Sequence, residues 1–251
     1  MAYSKYSLLY KILHPCEYRK RRKMADTADT EQFDIAMTNL KMSLGQTADT
    51  EKRIDITNYM LKLIKTDLQA EFFSTVIYSD YKHHLLRNIS HLLPLYFYDN
   101  NGTKISTYDL CNANDKRVSV DLANDCIFAL PWNVNRLFEN YINLKNKDFV
   151  FHPNNHLSYY IKQFDLCYVY NGNHSIAAGV YHRKGTIEAE YCDISPLFTH
   201  VDTDGSAWYN KHTREKISEL FDFRYGLLFE IARIKDELLN NLDKTTETKP
   251  L

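Results

Sequence analysis

The chain has 251 residues, of which 44% are hydrophobic and 25% charged, with a formal net charge of -1 at pH 7. That length buries a sizeable core without metals or disulfides. The balance of charge excludes a protein that wraps long nucleic acid through its overall field, and no apolar run nears the roughly 20 residues that span a bilayer.

The five cysteines, Cys16, Cys111, Cys126, Cys167 and Cys192, are odd in number and widely spaced, with no CxxC pair. They match neither a zinc-finger spacing nor the framework of a small secreted domain. Reduced thiols are therefore expected, and Cys167 reads as a buried thiol in an apolar strand. The first residues lack the long apolar segment of a signal peptide, so a cytoplasmic location and no membrane partner are expected.

Residues 1–30 are expected to form a flexible basic segment. Its unbroken positive run, Arg19 to Lys23, reads either as a solvated tail or helix end, or as a contact for nucleic acid, anionic lipid or a partner. The tetrapeptide TADT occurs at Thr27 to Thr30 and at Thr47 to Thr50, each copy followed by a glutamate. Both copies read as helix caps, with Glu31 and Glu51 favourable in the first turn.

A helical region is expected over 31–94. Apolar residues recur at helical spacing in Glu31 to Met42 and Ile54 to Ile64, and a third helix spans about Leu68 to Leu93, ended by Pro94. His83, His84 and His91 in it read as surface or interface histidines. From residue 95 the pattern changes to a mixed α/β unit extending to 242. Leu95 to Tyr98, Val118 to Leu122, Cys126 to Leu130, Leu166 to Tyr170 and Ile187 to Ile194 read as strands. Phe149 to Phe151 is a further strand candidate, and Leu157 to Ile161 is ambiguous. Helices are expected over Val134 to Leu144 and from Ile176 to Tyr181. A long helix from His212 to Leu242 closes the unit, with Gly226 as a bend, and 243–251 form a flexible tail. The fold class is α+β.

The segment Asn171-Gly172-Asn173-His174-Ser175 joins a strand to a helix start. Gly172 permits backbone angles that are costly elsewhere, Asn171 and Asn173 suit tight turns, and Ser175 suits a helix cap. These residues fit a structural cap, and they also fit an anion site made of helix-start amides with His174 beside them.

The order of strand, NGNHS turn, small-residue helix with Ala177 and Ala178, Gly185 turn and strand resembles the core of the ParB/sulfiredoxin-like superfamily, best over Leu166 to Asp193. The resemblance implies a phosphate site of a nucleotide or nucleic acid at the helix start. It places Asn171 at the usual acidic position, Gly172 at the glycine, His174 at the histidine and Ser175 at the usual arginine. Arg183 becomes a candidate compensating cation, and Pro131 to Arg136 the upstream polar loop.

A nucleotide- or nucleic-acid-directed phosphoester hydrolase would use His174 as general acid or base. It would draw Mg or Mn ligands from Glu188, Glu190 and Asp193. Two alternatives are a non-catalytic nucleotide-sensing or nucleic-acid-binding module, and a helical scaffold for a protein partner or a second copy. His200, Asp202, Asp204 and His212 form one more polar set, read as an acidic turn rather than a metal site.

Overall fold

Helix-forming residues run without proline or glycine from Cys16 to Leu44, and the chain forms one helix, α1, over Pro15–Gly45. The computed structural model describes residues 15–78, 92–112 and 115–247. The first TADT copy lies inside α1 and starts no helix, so the expected loose segment gives way to helix from residue 15 onward. Alanine and long unbranched side chains favour that outcome. The second copy is a cap: Asp49 Oδ1 accepts from Glu51 N at 3.0 Å and Lys52 N at 3.3 Å. It opens α2, Thr50–Tyr78, which merges two expected helices because no breaker separates them. The histidines at 83, 84 and 91 lie outside the described residues.

A hairpin of β1 (Tyr96–Tyr98) and β2 (Lys104–Ser106) follows, then the short helix α3 (Thr107–Cys111). The central sheet is built from β3 (Arg117–Asp121), β4 (Ile127–Phe128), β5 (Leu157–Ile161), β6 (Leu166–Asn171) and β7 (Thr186–Cys192). Its order is β3-β7-β5-β6-β4, with antiparallel β3/β7 and β5/β6 pairs and parallel β5/β7 and β4/β6 pairs. Helices α4 (Val134–Lys145) and α5 (Asn173–His182) lie between these strands in sequence. Phe149 to Phe151 forms no strand.

Alternation along β6 sorts its side chains into two cores. Leu166 and Tyr168 join the cluster containing Leu61, Leu68, Leu228 and Ile231 of the long helices. Cys167 and Val169 face the other way, onto Leu137 of α4 and Ile176 and Ala177 of α5. The sheet is thus covered on both faces, as a strand apolar on both sides requires.

The remainder comprises α6 (Leu197–His200), an antiparallel sheet of β8 (Val201–Thr203), β9 (Ala207–Asn210) and β10 (Lys216–Glu219), and the long helix α7 (Phe223–Glu247). The expected helix start at His212 is corrected. Ile217 belongs to β10, and the helix begins after Asp222, whose Oδ1 accepts from Arg224 N at 2.9 Å. Gly226 does not break α7. It stands where α1 approaches, and a Cβ there would lie 3.3 Å from Phe33 Cε2. Arg224 ties α7 to α2 through Asp67 at 2.5 Å and through Glu71, while holding Asp222 at 2.6 Å.

The expectation of five reduced thiols is also corrected. Cys111 and Cys192 form a disulfide between α3 and the end of β7, 81 residues apart in sequence. Cys167 is free and buried, as expected, and burial pushes its thiol up to about 12. No helix among the described residues is long and apolar enough to cross a membrane.

Candidate ligand site at the turn from β6 to α5

Gly172 leaves β6 in the left-handed region, with φ 81° and ψ 18°. A Cβ at this position would sit 2.7 Å from His156 Cδ2 and 2.8 Å from the Asn155 carbonyl oxygen. Glycine is therefore demanded by conformation and by space. The first intrahelical bond of α5 runs from Ile176 N to Gly172 O at 3.0 Å. The amides of Asn173, His174 and Ser175 precede that bond and carry the positive end of the helix dipole.

Ser175 is not the cap expected from sequence. Its hydroxyl donates to the Gly172 carbonyl at 3.0 Å, one turn back. The same oxygen lies 3.0 Å from His156 Nε2. His156 Nδ1 accepts from the His152 amide at 3.1 Å, so in the neutral ring the proton is on Nε2, which donates to Ser175. Burial, with His152 alongside, lowers the His156 pKa to about 4. Sequence reasoning misses this ring because Ser175, its side-chain partner, lies 19 residues further along the chain. The only local signal is the HPNNH spacing of His152 and His156.

His174 is buried, and its Nε2 accepts from Asn133 N at 3.0 Å and from Trp132 N at 3.3 Å. Those amides belong to the entry of α4, where Asn133 Oδ1 accepts from Arg136 N at 3.1 Å. Asn173 makes a parallel link, its Oδ1 accepting from Leu130 N at 2.6 Å. The starts of α4 and α5 are thereby held together, and the segment Pro131 to Arg136 stands at the turn.

Over this junction lies a polar cleft of about 410 Å³, lined by Asn171 to Ser175, Tyr170, Trp132, Arg136 and Glu139. The Arg136 guanidinium lies 5.3 Å from the Trp132 ring centroid, a cation–π position. A second lobe of about 290 Å³ continues past Asn140, Asn143 and Asn155 to Lys147 and Val150.

A model of the family described as "Family of unknown function (DUF6710)" matches residues 18–242. The chain belongs to this family. No curated protein and no solved structure matches it significantly.

The other residues singled out in the DUF6710 chain are not brought to the turn. Arg183 occupies the far end of α5, about 15 Å away along a ten-residue helix. There it takes φ 53°, its amide bonding to Val180 O at 3.1 Å while Lys184 N bonds to Gly179 O at 3.0 Å, a Schellman closure. That placement sets it at the opposite end of α5 from the turn.

The expected metal set also separates. Glu188 and Glu190 project from the same face of β7, where Tyr170 OH donates to Glu190 at 3.3 Å. Asp193 lies beyond the strand and accepts from Gln163 Nε2 at 2.6 Å and Ser195 N at 2.9 Å. Among the described residues, no three His, Cys, Asp or Glu side chains gather as a metal site.

Proposed function

We propose that this DUF6710 protein is a non-catalytic recognition module for a phosphate-bearing ligand, a nucleotide or a nucleic-acid end, taken up over the first turn of α5. The observation that carries this reading is that Arg136 and the first-turn residues of α5 line one polar cleft. A guanidinium and a helix start both favour an anion, and their fields add. The resemblance to the ParB/sulfiredoxin-like core supports a phosphate as that anion. Arg136, reaching in from α4, supplies the cation that Ser175 lacks. Glu139 on the same wall accepts hydroxyl or amino donors, which suits a ligand with an anion at one end and donors at the other.

Recognition is favoured over hydrolysis by how the histidines are used. His174 Nε2 is occupied by main-chain amides, and His156 donates to Ser175 in place of activating it. Neither offers the free lone pair that a general base requires. A partner protein is the second reading, favoured by the outer face of α4, where Phe138 is 49% and Ile142 67% exposed.

Calorimetric titration of the full chain with ATP, GTP, CTP, UTP, inorganic phosphate and 5′-phosphorylated single-stranded DNA and RNA tests the proposal. Saturable binding of at least one class is expected, weakened about tenfold by Arg136→Gln. Absence of binding by every probe would overturn it. Turnover of a bound probe that is lost in His174→Ala would restore the hydrolase reading.

A further inference from the structure

Outside the cleft, two histidines of different segments meet head to head. His200 ends α6 and stacks on Phe97, with ring centroids 5.5 Å apart. His212 lies in the turn between β9 and β10, its amide donating to Asn210 Oδ1 at 2.8 Å. The main chain locks these segments together, because Lys211 N donates to His200 O at 2.9 Å. His200 Nδ1 and His212 Nε2 are 3.2 Å apart, whereas the ring centroids are 5.4 Å apart, so the nitrogens form the facing edges.

Two imidazole nitrogens held at about 2.0–2.1 Å by one tetrahedral cation stand roughly 3.3–3.4 Å from each other. The observed gap is close to that value. A proton shared between the rings gives a similar gap, and titration with zinc separates the two. The Asp99 carboxylate acts on His200 with favourable sign for a cation. Lys211 opposes it, but its ammonium is directed onto Phe198 O at 3.2 Å.

We propose that His200 and His212 form a binding site for a late first-row divalent cation, with zinc as the type. No third His, Cys, Asp or Glu joins them among the described residues, so water completes the coordination. The cation clips the end of α6 to the turn between β9 and β10, and the site is independent of the ligand reading above.

Untagged full-length protein is titrated with zinc sulfate against a chelating dye, and with Co²⁺ followed by its visible absorption. One equivalent is expected, with affinity falling about tenfold or more in His200→Ala and in His212→Gln. Glutamine preserves size and a hydrogen-bonding amide at the turn, which keeps the test valid if alanine variants unfold. Excess zinc should raise Tm in the wild type and not in the variants. Equal zinc affinity in wild type, His200→Ala and His212→Gln overturns the proposal. So does zinc binding that leaves the two imidazole NMR signals unmoved.

Discussion

His156 donates a hydrogen bond to Ser175; it does not receive one. The order is set by the His152 amide, which occupies Nδ1 at 3.1 Å and leaves the proton on Nε2, 3.0 Å from the serine oxygen. A hydrolytic Ser–His pair needs the reverse polarity. The pair instead locks the loop carrying Asn155 onto the first turn of α5.

That lock is pH-sensitive. The folded His156 pKa of about 4 is below the unfolded histidine value, so between the two the unfolded chain binds more protons. Its contribution is present above about pH 6.5 and is lost as pH falls toward 4. A loss of the order of 2 kcal/mol is expected after allowing for solvent screening. Urea melts at pH 7.5, 6 and 5 should show a slope in the wild type that is reduced in His156→Gln.

Gly172→Ala meets both an unfavourable φ and contacts of 2.7 and 2.8 Å with His156 and Asn155. A loss of about 2–4 kcal/mol is expected by chemical denaturation. Gly45→Ala is the matched control. A Cβ there meets nothing within 4 Å, so its stability should stay within about 0.5 kcal/mol of wild type.

Arg224 is the shared partner of Asp67, Glu71 and Asp222, and its side chain is 18% exposed. Replacing it by methionine removes the cation that these three carboxylates share at the contact of α2 with α7. A loss of about 2–4 kcal/mol is expected, recovered in part by adding Asp67→Asn and Glu71→Gln, as a denaturation cycle would show.

Reduction of the Cys111–Cys192 bond frees a loop whose ends are 81 residues apart. Chain entropy alone sets the effect at about 4.5 kcal/mol. Dithiothreitol should lower Tm in the wild type and leave a Cys111→Ser/Cys192→Ser variant unaffected. Equal response in both would assign the effect to other thiols.

The legible parts of the sequence were those governed by neighbours. Gly172 between an apolar run and a small-residue helix marked the turn, and Asp49 before Glu51 marked a real cap. The start of α7 was misread because Ile217 and Leu220 fit helical spacing as well as strand, and only Asp222 decides where the helix begins. Arg183 is a candidate only through the resemblance, and the structure keeps it at the opposite end of α5 from the turn. His156 and the disulfide escape because each acts across the fold on a partner that no local pattern identifies.

β7 has a consequence for how this chain is made. Among the described residues it is the sole sheet neighbour of β3 and the bridge from β3 to β5. During synthesis β3 therefore emerges well before the strand that completes its pairing, and the sheet closes only once residue 192 has been added. The contacts that join α4 to α5, by contrast, are made by residues that precede β7. A destabilising change in β7 should therefore disturb the pairing of β3 more than the local geometry of the cleft.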